Sequence, residues 1–167
     1  TAALFLLILF AFFSLAFTPA GIVFDSYATS TISISAISMI NGIPIANASY
    51  DNVVNLSGET GFSELIAGGK TYLVTESILE SQADNEGVIF VYNDAPAIRA
   101  NLSRIITEIN GVKVDSIEKL QEELGRYKPG DNVTIKTKEE EGFLEIKLVL
   151  EENPSRSGTA WLGIGFY

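Results

Sequence analysis

The sequence predicts an α+β fold, mostly β, that follows an N-terminal transmembrane helix. Three observations predict it. An uncharged apolar run opens the chain. Alternating apolar runs come next, interrupted twice by the same phrase, Ile40-Asn41-Gly42 and Ile109-Asn110-Gly111. One later stretch, Asp115 to Gly125, has the spacing of a capped amphipathic helix.

Composition limits what the chain can do. Its 167 residues suffice for one ordinary domain or two small ones. Eleven Lys plus Arg stand against 21 Asp plus Glu, a net charge of -10. Such a surface repels phosphate backbones, so no nucleic acid is expected as a partner. The chain contains neither cysteine nor histidine. That excludes a disulfide framework, thiolate zinc sites, and Ser-His-Asp, Cys-His or His-Glu-x-x-His chemistry. No carboxylates pair recognisably, so no catalytic residue and no metal ligand is assigned.

The run "TAALFLLILFAFFSLAF", Thr1 to Phe17, is uncharged. A spanning helix needs about 20 apolar residues, with roughly 17 as a lower limit. Residues 1–18 are therefore read as a transmembrane helix. The chain opens without Met, and the helix is expected to be truncated at its start. A signal peptide would need a basic n-region, which is absent. A buried core helix would show a polar stripe. Pro19 ends the helix. No Lys or Arg occurs before Lys70, so the chain from Pro19 onward is placed on the non-cytoplasmic side of the membrane. Four Asn-x-Ser/Thr sequons, at Asn47, Asn55, Asn101 and Asn132, agree with that side.

Beyond the helix, "GIVF" (Gly21–Phe24) reads as a short buried strand. "STISISAISMI" alternates up to the Asn41-Gly42 turn, and "IPI" resumes beyond it. Residues 49–61 are polar and read as loop or short helix. "FSELIAGGKTYLVTESIL" reads as two strands joined at Gly68-Gly69, and residues 81–86 as a linker. "GVIFVY" (Gly87–Tyr92) is a continuous apolar strand, and "NDAPAIRANL" a turn with a helical piece. "RIITEINGVKV" makes two short strands about Asn110-Gly111. In the next helix, Asp115 is the expected N-cap with Glu118 completing a capping box. Ile117, Leu120 and Leu124 share a face. Gly125 is the expected left-handed stop. A hairpin closes the pattern, from "KPGDNVTIKTK" through "EEEG" to "FLEIKLVL". The helix must cross a small antiparallel sheet to bury its leucines.

The segment Gly87–Leu150 resembles a PDZ domain of the bacterial and archaeal type, over about two-fifths of the chain. The matching residues are Pro96, Ala97, Ala100 and Leu102, then Ile109-Asn110-Gly111 and Val114, then Pro129-Gly130-Asp131 with Val133. The pattern departs at Ala95, at Asn101, and at Ser103-Arg104, where Gly-Asp is usual. The resemblance divides the chain into a PDZ domain at 87–152, a linker at 81–86, and a degenerate PDZ-like module, or an extension, at 19–80. The first half lacks the Pro-Ala and Pro-Gly-Asp turns. Gly111→Val is therefore expected to harm folding more than Gly42→Val. Residues 153–167 form a pre-membrane strand or segment, with Trp161, Phe166 and Tyr167 either at the membrane interface or packed on the last strand.

A membrane helix, one or two such modules and "LGI" at Leu162–Ile164 are together similar to the middle of a site-2 protease, an intramembrane zinc metalloprotease. The resemblance implies a substrate-gating, peptide-binding region that serves regulated intramembrane proteolysis. Its partners would be the membrane and protein or peptide substrates. Zinc would belong to the parent protein, outside this fragment. The implied groove pairs the strand Gly87, Val88, Ile89, Phe90 and Val91 with a helix wall of Ile117, Leu120 and Leu124. The same apolar residues also suit a core. A steric filter and a tight peptide binder remain equally open, and a membrane-anchored PDZ adaptor or secretion scaffold without enzymatic activity is the alternative.

Overall fold

The computed structural model describes residues 21–58, 61–82 and 87–167. The expected membrane helix at 1–18 lies outside them. Among the described residues, no helix is long and apolar enough to cross a membrane.

The described chain is mostly β with short helices, arranged as two lobes. The strands are β1 (Ile22–Val23), β2 (Ser26–Tyr27), β3 (Thr29–Ser33), β4 (Ile37–Ile40) and β5 (Ile43–Pro44). After helix α1 (Tyr50–Leu56) come β6 (Ser63–Ala67), β7 (Lys70–Val74), α2 (Glu76–Glu80) and β8 (Val88–Asn93). Next are α3 (Pro96–Arg99), β9 (Ile105–Ile109), β10 (Val112–Lys113) and α4 (Ile117–Leu124). The chain ends with β11 (Asn132–Lys138), β12 (Phe143–Val149), β13 (Glu151–Asn153), β14 (Arg156–Trp161) and β15 (Ile164–Gly165).

The first lobe is a six-stranded sheet in the order β3-β8-β7-β6-β4-β5. Its core holds Ile40, Val53, Leu65, Val74, Ile89 and Val91. The second lobe joins β1, β9, β10, β11 and β12 in one sheet, with the β13–β14 hairpin and the β15–β2 pair beside it. Its core takes Ile22 and Phe24 from the start of the described chain and Leu162 from its end.

The lobes are therefore nested rather than consecutive. Residues 29–93 form the first lobe, inserted between two parts of the second. The chain leaves and re-enters at one point, where the Asn93 N–H donates to the Ala28 carbonyl at 2.9 Å. This differs from the division expected at residues 81–87. Val88–Asn93 pairs along its length with β3 and at Tyr92 and Asn93 with β7, so it completes the first sheet. "GIVF" goes the other way, with Ile22 opposite Ile106. Gly21 makes that approach possible. It sits at φ +109, and a Cβ there would lie 2.4 Å from the Ile106 carbonyl oxygen.

Both Ile-Asn-Gly phrases build one device. Asn41 and Asn110 each have φ 47, and Gly42 and Gly111 each have φ 79. Asn41 Oδ1 accepts from the Glu64 N–H at 2.9 Å, and Asn110 Oδ1 from the Thr134 N–H at 2.7 Å. Each asparagine backbone N–H returns a bond to the carbonyl of that same residue. Its Nδ2 then reaches toward the helix end, to the Leu56 carbonyl in one lobe and to the Tyr127 hydroxyl in the other. The phrase thus staples a tight turn to the neighbouring strand and helix in both halves. Since both glycines share one geometry with open space around them, unequal harm from Gly42→Val and Gly111→Val is no longer expected.

Other details differ from expectation. "STISISAISMI" is broken by a 3-10 turn at Ile34–Ala36, so its two parts pair with different strands. "TESIL" is not strand: Thr75 caps α2 by accepting from the Ile78 N–H. Ser116, not Asp115, caps α4. Gly125 ends that helix with ordinary right-handed angles, φ -65 and ψ -12. Residues 153–161 are no separate appendage, because Ala160 and the adjoining Leu162 belong to the second core.

Candidate functional site

An open groove runs between α4 and the segment Trp161–Phe166. The helix wall is set by its cap and by one leucine. The Ser116 hydroxyl accepts from the Lys119 N–H at 3.1 Å. Leu120 is 1% exposed and anchors the helix on the sheet. That leaves Gln121 and Leu124 along the groove. Behind the wall, Glu123 is a buried carboxylate. Its Oε1 accepts from the Tyr127 hydroxyl at 3.2 Å, and Oε2 lies 3.0 Å from Arg126 Nη1 without hydrogen-bond alignment. Tyr127 in turn accepts from Asn110 Nδ2 at 3.0 Å. The turn device and the helix wall are thereby one unit.

The strand wall depends on Gly163. It has φ +83, and a Cβ there would sit 2.2 Å from Ala95 Cβ. Leu162 accepts from the Ala97 N–H at 2.9 Å, which fixes the start of the strand. The Gly163 carbonyl accepts from the Ala28 N–H at 2.8 Å, and that of Gly165 from the Asp25 N–H at 3.0 Å. In antiparallel pairing, alternate residues turn their peptide groups to opposite edges. Ile164, opposite Tyr27, therefore directs its N–H and C=O away from β2. The apolar lining of the groove is Leu120, Leu124, Trp161, Ile164 and Phe166, and Gln121, Asn153, Ser155 and Thr159 line it with polar groups. Arg156 also lines the groove and forms no ion pair among the described residues. An extended segment laid here gains main-chain bonds at Ile164 and apolar cover from α4.

The residues expected to form a groove are not brought together. Ile117, Leu120 and Leu124 do lie on α4, with Ile117 exposed and Leu120 in the core. Gly87, Val88, Ile89, Phe90 and Val91 belong to the first lobe. Ile89 and Val91 are fully buried in its core, while Val88 and Phe90 face outward. One edge of this strand is taken by β3. At its other edge the Gln82 side chain binds Phe90 twice: Gln82 Oε1 accepts from the Phe90 N–H, and Gln82 Nε2 donates to the Phe90 carbonyl at 3.0 Å. The expected site thus joined a strand of one lobe to a helix of the other. The nesting causes this, since β8 ends one lobe next to the residues that resume the other. The missed wall is Trp161–Phe166. The signal that pointed to it was the phrase Leu162-Gly163-Ile164, read as an approach to the membrane.

Among the described residues, no group of three or more acidic side chains is placed to hold a metal ion. Glu139, from the acidic turn, instead accepts from the Thr137 hydroxyl at 3.0 Å. No protein-family model matches the chain, and no curated protein is found similar to it.

Proposed function

We propose that the second lobe is a PDZ-like peptide-binding module that captures an extended segment by strand addition at Ile164. The observation that carries this reading is the Ile164 peptide edge turned away from β2, which has no hydrogen-bond partner among the described residues, in a groove that α4 also lines. The groove is open at the surface and mixed in lining, apolar at Leu120, Leu124, Trp161 and Ile164 and polar at Gln121, Asn153 and Thr159, with Arg156 as its one cationic side chain among the described residues. In keeping with the resemblance to site-2 proteases, the region is placed beside a membrane helix, where it selects which protein segments reach a zinc protease core. In this reading the residues of this chain supply recognition.

Trp161 is the single tryptophan of the chain and lines the groove, so it reports occupancy directly. A displayed random-octapeptide library is selected on the protein, and the enriched peptide is titrated against Trp161 emission. Saturable change is expected, and Leu124→Glu abolishes it while the fold persists. Failure to enrich any peptide, or full affinity in Leu124→Glu, overturns the reading.

A further inference from the structure

The two lobes share a repeated unit of strand, Ile-Asn-Gly turn, strand, capped helix and two strands, yet the helices of the two units face different neighbours. The helices correspond by their caps. Ser49 accepts from the Asn52 N–H as Ser116 does from that of Lys119. Val53 then matches Leu120, both buried, and Val54 and Ser57 match Gln121 and Leu124. In the second lobe those last positions face open groove. In the first lobe they face α2: Val54 and Ser57 line a cleft of about 670 Å³ whose other wall is Glu76, Leu79 and Glu80. The Tyr50 hydroxyl donates to the Leu79 carbonyl and ties the two helices. Leu79 is buried in the same core as Val53, Ile89 and Val91.

The edge of β8 next to α2 is filled as well. On β8 the odd-numbered residues bond toward β3, as the Asn93 and Gly87 bonds show. Phe90 and Tyr92 therefore turn their peptide groups to the opposite edge. Tyr92 is paired by Leu73 of β7. Phe90 is paired by the Gln82 carboxamide, which accepts one bond and donates the other. A primary amide has the same donor and acceptor pair as a peptide unit. Gln82 is itself buried and anchored, Nε2 also donating to the Ile78 carbonyl at 2.7 Å.

We infer that the first lobe's groove is a strand-addition site occupied by the chain's own segment Glu76–Gln82, with Gln82 standing in for a bound peptide at Phe90. Of the two grooves, only the second then offers a free strand edge, and the chain binds one peptide per molecule. The inference rests on the reading of the second groove only for that count; the occupancy of the first stands on its own bonds.

The test uses the full chain, 15N-labelled in detergent micelles, and follows the Phe90 and Ile164 amides. In Gln82→Ala the Phe90 amide is expected to exchange about tenfold faster or more, with Ile89 and Val91 unchanged because they bond to β3. Unchanged Phe90 exchange overturns the inference. A degenerate octapeptide pool added to the wild type is expected to move the Ile164 resonance and leave Phe90 in place. A Phe90 shift in the wild type also overturns it, and decides the matter even if Gln82→Ala fails to fold. If neither resonance moves, the reading of the second groove fails, while the Phe90 exchange result still judges the first.

Discussion

At the scale of single residues, three positions carry most of the geometry. Gly42 and Gly111 hold one φ of 79 in two places. A β-branched residue is strained there, by roughly 1–3 kcal/mol. Gly42→Val and Gly111→Val are expected to cost similar amounts in chemical denaturation; a loss confined to Gly111→Val would show that the first turn tolerates what the second does not. Asn110→Ala removes the acceptor of the Thr134 N–H and the link to Tyr127, a loss of roughly 1–3 kcal/mol. Gly163 is different in kind. Its Cβ has no room beside Ala95, so Gly163→Ala is expected to displace the groove strand and weaken peptide binding as well as stability. The Asn-Gly turns were legible because that pair signals positive φ by itself. Gly163 was not, because its need comes from a residue far away in sequence. Gly125 shows the converse: a glycine after a helix suggested a left-handed stop, but the chain continues right-handed.

At the scale of elements, α4 and the β13–β14 hairpin frame the open groove. The apolar spacing of α4 was plain in the sequence, since Leu120 and Leu124 fall one turn apart. The short α1 was legible only as one of two alternatives, loop or short helix, and α2 was read as strand, because each depends on a cap and a packed face rather than on length. The hairpin carries a pH response. The Glu152 carboxyl is held below the ordinary carboxylate range, first by the Gly158 N–H and then by the Ser157 hydroxyl. Folding therefore favours its ionised form. That contribution is complete above the ordinary value and is lost as pH falls through the lowered one. The Gly158 amide resonance should titrate with an inflection below 4.5, the ordinary value of this carboxyl. An inflection at or above that value would show that the bond to Gly158 does not persist in solution.

At the scale of the whole molecule, the nesting organises everything else. The repeat was visible as a doubled phrase, and the mostly β class as alternating runs. The boundary was hidden, because β8 is equally apolar whichever lobe it joins. Only pairing with β3, across more than fifty intervening residues, assigns it. A shortened chain running from Ala28 to Asp94 through two glycines is expected to keep the second lobe's cooperative unfolding, since those ends already lie side by side. Residues 87–152 alone are expected to remain unfolded. They lack Ile22, Phe24 and Leu162 from their core and expose Ile89 and Val91. The same threading sets β2 beside the groove strand, which turns the Ile164 peptide group to the edge proposed for an added strand. The most direct measurement is therefore amide exchange at Ile164 with and without a saturating selected octapeptide. Strand addition predicts slowing of about tenfold or more at Ile164, with Gly163 and Gly165 little changed. Unaltered exchange at Ile164 while the peptide is bound would contradict the account.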